Sequence, residues 1–168
     1  MVEEATFAAG CFWQVEIEFA NTPGVLSTMV GYTGGSTESP SYEEVCSGNT
    51  GHAEAVHLTF DPEQVSYEEL LKVFFGLHDP TQLNRQGPDV GHQYRSAIFF
   101  HTPEQEREAI AAKERTAAEL GKEVMTEIVP AGPFWLAEDY HQRYLEKRGM
   151  ATCRIPSAAP SESPSATA

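Results

Sequence analysis

Cys11 stands in the run Gly10-Cys11-Phe12-Trp13, where the short apolar stretch Thr6 to Gly10 gives way to a helix-spaced one that begins at Phe12. At such a junction the unpaired N–H groups and the positive end of the helix dipole face the sulfur and favour a thiolate, the nucleophilic form. The competing reading is a small, buried, inert cysteine. Phe12 and Trp13 read equally as core anchors or as the walls of an apolar pocket beside the sulfur.

Glu54 is the second residue with chemical content. Strand alternation puts it on one face with Val56, Leu58 and Phe60, the face expected to be buried. Desolvation there raises a carboxyl pKa and keeps the proton near neutrality, which suits a general acid beside a thiol. A strand-end carboxylate that reaches solvent or a basic partner is the alternative. Tyr42, in a glycine-bounded loop, and Tyr94, placed on the Ile98 and Phe100 face of a strand, each offer a phenol to a substrate oxygen or simply pack. Asp89, in Gly87-Pro88-Asp89-Val90-Gly91, has the composition of turn chemistry. Cys153 lies between the last helix and a patternless tail, and is either an incidental surface thiol or a mobile one able to reach Cys11; Cys46 reads as packed and inert. The histidines show no zinc-ligand spacing, and Gly31 to Gly35 matches no phosphate-binding loop, so neither a metal nor a nucleotide is expected.

These residues need a scaffold. The 168 residues fit one domain, and 40% hydrophobic with 21% charged residues is ordinary globular composition. Eleven Lys and Arg against 25 Asp and Glu give a net charge of -14, which disfavours nucleic-acid and anionic-membrane partners. The N-terminus lacks the pattern of a secretory signal, no apolar run is long enough to span a membrane, and three scattered cysteines make no disulfide framework, so a cytoplasmic protein is expected, with a monomer the simplest state.

The pattern predicts strands over 6–10, 25–32, 53–60, 94–100 and 124–129. Helices are predicted over 12–21, about 41–45, from Ser66 to Leu77, from Thr102 to Leu120, and over 135–147. Residues 78–92 read as loop, and 155–168, almost wholly Ser, Ala, Pro and Thr, as a disordered tail after a domain of 1–154. Taking the first two long helices with their flanking strands gives β-α-β-β-α-β, so the fold class is α+β: a two-layer sandwich of ferredoxin-like split-βαβ order with an appended C-terminal helix. A doubly wound parallel sheet is the alternative, disfavoured by two consecutive strands without a long helix between them.

Gly10-Cys11-Phe12-Trp13 together with Gly51-His52-Ala53-Glu54-Ala55-Val56 resembles the A-type peptide methionine sulfoxide reductases. The likeness continues through Gly31-Tyr32-Thr33-Gly34-Gly35, Tyr42 to Gly48, His78-Asp79-Pro80-Thr81, Asp89 to Ser96, and Tyr140-His141-Gln142 with Tyr144-Leu145, in the family's order over roughly residues 5 to 153. The resemblance implies a two-layer α+β fold and reduction of methionine (S)-sulfoxide. It implies a nucleophile at Cys11, an acid at Glu54, hydrogen-bonding phenols at Tyr42 and Tyr94, a substrate contact at Asp89, and a methyl pocket from Phe12 and Trp13. It also implies a resolving thiol at Cys153, thioredoxin as the external reductant, and no metal or organic cofactor. Gln14 stands where the family commonly has glycine, and Met150-Ala151-Thr152-Cys153 replaces a glycine-rich ending with two cysteines. The alternatives by chemistry are a thiol peroxidase using the same two cysteines, or a non-enzymatic redox-sensing module.

Overall fold

A computed structural model describes residues 2–149. Eight strands and five helices follow in chain order: β1 (Glu3–Ala9), α1 (Phe12–Ala20), β2 (Val25–Thr33), α2 (Tyr42–Cys46), β3 (Ala53–Phe60), α3 (Tyr67–Gly76), β4 (Arg85–Gln86), β5 (Asp89–Val90), β6 (Ser96–Phe100), α4 (Pro103–Leu120), β7 (Glu127–Pro130), β8 (Phe134–Leu136) and α5 (Tyr144–Lys147). Local chemistry sets most of these boundaries. Ser41 and Ser66 close capping boxes with Glu44 and Glu69, so the N–H groups of Ser41, Glu44, Ser66 and Glu69 are paired at the starts of α2 and α3. α4 starts on the Thr102 cap with proline next and stops at Gly121 in the left-handed conformation.

The main sheet has the order β7-β6-β1-β3-β2-β8. Its centre is the expected split-βαβ arrangement: β3 runs antiparallel between β1 and β2, and β6 antiparallel to β1 on the other side. β7 adds parallel to β6 and β8 antiparallel to β2. The C-terminal region departs from the sequence reading here. Trp135 belongs to edge strand β8, not to a helix running to Lys147, and only Tyr144–Lys147 is α-helical. The 78–92 loop also carries the small β4–β5 hairpin.

β7 and β8 are opposite edges of the sheet, yet only residues 131–133 join them. Five strand spacings in a flat sheet would put those edges about 24 Å apart, whereas four extended residue steps reach about 14 Å. The sheet must therefore curl. The link crosses the inner face, where the Ala131 N–H donates to Phe100 O at 2.8 Å and the Thr33 hydroxyl to Pro133 O at 2.7 Å. That concave face is lined by Ala8, Ala53, Ala55 and Ala97 with Phe99, small enough to allow the curl. Gly31 belongs to the same solution, since a Cβ there would run into the Phe134 ring and the Trp135 carbonyl.

The other face carries α1 and α3 and the larger core, in which Phe7 stacks on Phe19 and Phe74 with centroids 5.0 and 5.2 Å away. Both faces of β3 are thus covered, so Ala53 and Ala55 are as buried as Glu54 and Val56. No helix among the described residues is long and apolar enough to cross a membrane.

Candidate active site

β1 ends at Ala9, and Gly10 turns the chain at φ +97, a conformation that favours glycine; the Gln86 side chain of the β4–β5 hairpin packs on it. Cys11 then caps α1, its carbonyl accepting from the Gln14 and Val15 N–H groups at 3.2 and 3.4 Å, with its sulfur part-buried at the helix entrance. The next free N–H, that of Phe12, donates to Glu54 Oε1 at 3.2 Å. One helix terminus thus places the thiol and the carboxyl side by side.

The electrostatics correct the sequence expectation of a resting thiolate. Burial, then the nearby Glu54 and Asp89 charges, push the Cys11 thiol well above its usual range, and the N–H groups of Trp13 and Gln14 only partly offset this. At neutral pH the sulfur is a thiol. Glu54 behaves as its position predicts: only 1% exposed, it is pushed up to about 8, by burial first, against the lowering bond from Phe12, with Asp89 raising it further. Its second oxygen, Oε2, is buried with no partner. A protonated carboxyl with one unengaged oxygen beside a thiol is equipped to donate a proton to a guest.

Tyr42 opens α2, and Tyr94 closes a 3-10 turn at His92–Tyr94 rather than lying in a strand, so its supposed alignment with Ile98 and Phe100 does not hold. Arg95 holds that turn, donating to His92 O at 2.8 Å and Gly51 O at 3.1 Å while pairing with Glu127 at 3.2 Å. Both phenols are held neutral, by burial first; the Glu54 and Cys46 charges act on both, and Asp89 and Cys11 on Tyr94 as well. Asp89 pairs with Gln86 in the hairpin and is raised by burial. Cys11, Glu54, Tyr42, Tyr94 and Asp89 are therefore brought together. Cys46 is corrected: it is exposed, and its sulfur meets the Tyr42 and Tyr94 hydroxyls.

The two aromatics after Cys11 separate. Phe12 is buried, tilted against Tyr32 and His141. Trp13 is half-buried and stacks on Tyr144 at 3.7 Å with rings 11° apart. The sequence reading assigned no role to the residues that hold this wall. His141 Nδ1 accepts the Trp13 indole N–H at 3.0 Å, and Glu138 accepts the Tyr32 hydroxyl at 2.9 Å and the Tyr42 N–H at 2.8 Å. The one local signal was a carboxylate three residues before a histidine. His52, by contrast, braces the glycine loop, accepting from Gly35 N at 3.0 Å and bonding Thr37 O at 2.6 Å. A cavity of about 690 Å³ between α3 and α4 is lined by none of Cys11, Glu54, Tyr42, Tyr94 and Asp89. No cluster of three or more His, Cys, Asp or Glu able to hold a metal occurs among the described residues. Cys153 and the tail lie outside them.

The family profile described as peptide methionine sulfoxide reductase matches residues 3–166. The peptide methionine sulfoxide reductase MsrA of Geobacter sulfurreducens is 60% identical over 155 residues, which are 91% of this chain and 96% of that protein. The structure of methionine sulfoxide reductase A of Corynebacterium diphtheriae superposes with a TM-score of 0.80 at 42% identity, covering 91% of this chain and 78% of that one. Mxr1 from Saccharomyces cerevisiae in complex with Trx2 superposes with a TM-score of 0.61 at 25% identity, covering 85% and 84%.

Proposed function

The chain belongs to the peptide methionine sulfoxide reductase family, and on that footing we propose that Cys11 and Glu54 together reduce methionine (S)-sulfoxide, free or within proteins, to methionine. The observation that carries the assignment of roles is the shared helix terminus: thiol and protonated carboxyl both sit at the start of α1, with Glu54 Oε2 unengaged.

The sulfoxide oxygen takes the place facing Glu54, Tyr42 and Tyr94, with Asp89 a further contact, and its methyl group lies against Trp13, which Phe12 backs. Glu54 passes its proton to the oxygen as the Cys11 sulfur attacks the sulfoxide sulfur. The protonated oxygen then transfers from the substrate sulfur to the Cys11 sulfur as the S–O bond and the transient S–S bond break, which leaves a sulfenic acid on Cys11 and releases methionine. The proton lost by the Cys11 thiol restores the Glu54 carboxyl, so sulfur is reduced by two electrons, cysteine is oxidised by two, and no net proton is consumed. A neutral resting thiol suits this sequence, because the nucleophile is uncovered only when the bound oxygen takes the proton of Glu54.

Cys153 then condenses with the sulfenic acid, releasing water and forming a Cys11–Cys153 disulfide, which an external dithiol reduces by exchange. That dithiol is a thioredoxin, a proposal supported by the complex of the related Mxr1 with Trx2. No prosthetic group is required. Residues 1–154 form the catalytic domain in this proposal, 155–168 a tail, and the location is cytoplasmic, where thioredoxin keeps thiols reduced.

The test is a single turnover of reduced protein with dabsyl-methionine (S)-sulfoxide, its R epimer and hydrogen peroxide, counting thiols lost per product. Two thiols lost per methionine formed, from the S epimer alone, is expected; rapid thiol loss with peroxide and none with sulfoxide identifies a peroxidase instead. Cys153→Ser should give about one turnover and then stall with thioredoxin as reductant.

A further inference from the structure

We propose that Glu138 is a positioning residue that sets the stereochemical selection of the pocket, by fastening its oxygen-binding wall and its methyl-binding wall to one carboxylate. The inference rests on the reading above and adds to it the device that discriminates between the epimers.

Glu138 stands where three elements meet. Its Oε2 accepts the N–H of Tyr42, the first residue of α2, at 2.8 Å, a donor that the Ser41 capping box leaves unpaired. Its Oε1 accepts the Tyr32 hydroxyl from β2 at 2.9 Å and lies 3.8 Å from His141 Nε2. The tautomer of His141 follows from its other nitrogen. Nδ1 accepts the Trp13 indole N–H at 3.0 Å, so in the neutral ring the proton sits on Nε2, facing the Glu138 carboxylate. His141 is wholly buried and its Nε2 has no hydrogen-bond partner, so the Glu138 charge 3.8 Å away is what the Nε2 proton faces, and it adds to the indole bond in favouring that tautomer. The imidazole also fills the space between the walls, 4.5 Å from the Tyr42 ring and 5.2 Å from the Phe12 ring, centroid to centroid.

One half of the carboxylate therefore holds the backbone that carries the Tyr42 phenol, and the other half orients the imidazole that holds the Trp13 indole. A sulfoxide sulfur is a stereocentre bearing oxygen, methyl, the side-chain carbon and a lone pair. With Cys11 and the chain exit fixed, the wrong epimer must turn either its oxygen to the indole or its methyl to the phenols. Discrimination then depends on the two walls keeping a fixed relation, since a wall free to shift accepts either group.

The experiment measures kcat and KM for both epimers of dabsyl-methionine sulfoxide in the full-length wild type, Glu138→Gln, Glu138→Asp, His141→Phe and His141→Asn, with dithiothreitol as reductant. Glutamine cannot accept on both sides, so E138Q should lose at least about tenfold in its preference for the S epimer, the worth of one ordinary hydrogen bond. Most of the loss should fall on KM for S, and E138D should restore part of it. His141→Phe keeps a ring but removes the indole acceptor and should lose selectivity likewise; His141→Asn, whose Oδ1 replaces Nδ1, should retain most of it. Alkylation of Cys11 by iodoacetamide, followed on the Cys11 peptide, should proceed at the wild-type rate in all four variants, which a general loosening of the fold would not allow. A folded E138Q with the wild-type ratio of epimers overturns the proposal. If E138Q does not fold, equal ratios in H141F and H141N overturn it. A wild type that reduces neither epimer refutes the reductase reading itself and is told apart at the first measurement.

Discussion

Glu16, at the middle of α1, and Glu54, at its N-terminal end, are buried almost equally, 2% and 1% exposed, and burial raises both carboxyls above the usual range. Their partners differ. Glu16 accepts the Thr28 hydroxyl on one oxygen at 2.9 Å and the Arg143 N–H on the other at 2.7 Å, and so pins to α1 a residue held at φ +56. Glu54 accepts one N–H and leaves Oε2 unengaged. Burial alone therefore does not mark a catalytic acid. An acid whose hydrogen-bonding capacity is spent on the fold stabilises it, and one with capacity to spare can serve a guest.

Substitution should separate the two. Replacing Glu54 by glutamine is expected to slow the single-turnover reduction roughly 10² to 10⁴-fold, the usual worth of a general acid, while thermal stability stays near wild type. A near-normal rate would remove Glu54 from the chemistry. Glu54 also gives a pH signature. Its folded pKa of about 8 lies above the unfolded value, so its contribution to stability is complete below the carboxylate range and is lost as pH rises through about 8. Wild type should therefore lose stability relative to E54Q as pH rises from the carboxylate range to about 8 and level off above it, while proton delivery fades above about pH 8; identical unfolding profiles of the two from about pH 5 to 9 would contradict this.

Glu16→Ala should do the opposite of E54Q. Leaving the Thr28 hydroxyl and Arg143 N–H without their acceptor is expected to cost about 1 to 3 kcal/mol in denaturant unfolding, with kcat close to normal in the folded fraction. A large drop in kcat at unchanged stability would erase the contrast. Smallest of all should be Cys46→Ser: the thiol is exposed, and about a twofold change in rate is the expected ceiling, as for most surface substitutions.

The individual elements were mostly legible in the sequence because their causes are local. The capping serines, the Thr102-Pro103 start and Gly121 stop of α4, and the alternation of 53–60 each act within a few residues. Tyr94 and Trp135 were misplaced for the same reason in reverse. Aromatic, β-prone stretches read locally as extensions of a strand or helix, whereas the Arg95 bond to Gly51, and the pairing of β8 with β2, are made by distant partners.

The sequence by itself determined that Cys11 sits at a strand-to-helix junction, that Glu54 lies on a buried strand face, and that the core order is β-α-β-β-α-β. These follow from short-range sterics, capping and periodicity, which the chain carries wherever it goes. Only the tertiary structure decided the curl that three residues between β7 and β8 impose, the neutral state of the Cys11 thiol, and the meeting of Glu138, Tyr42, Tyr32 and His141. Each of these depends on groups far apart in sequence sharing one desolvated volume, where a charge or an unpaired donor is costly and must be answered by whatever the fold has brought within reach.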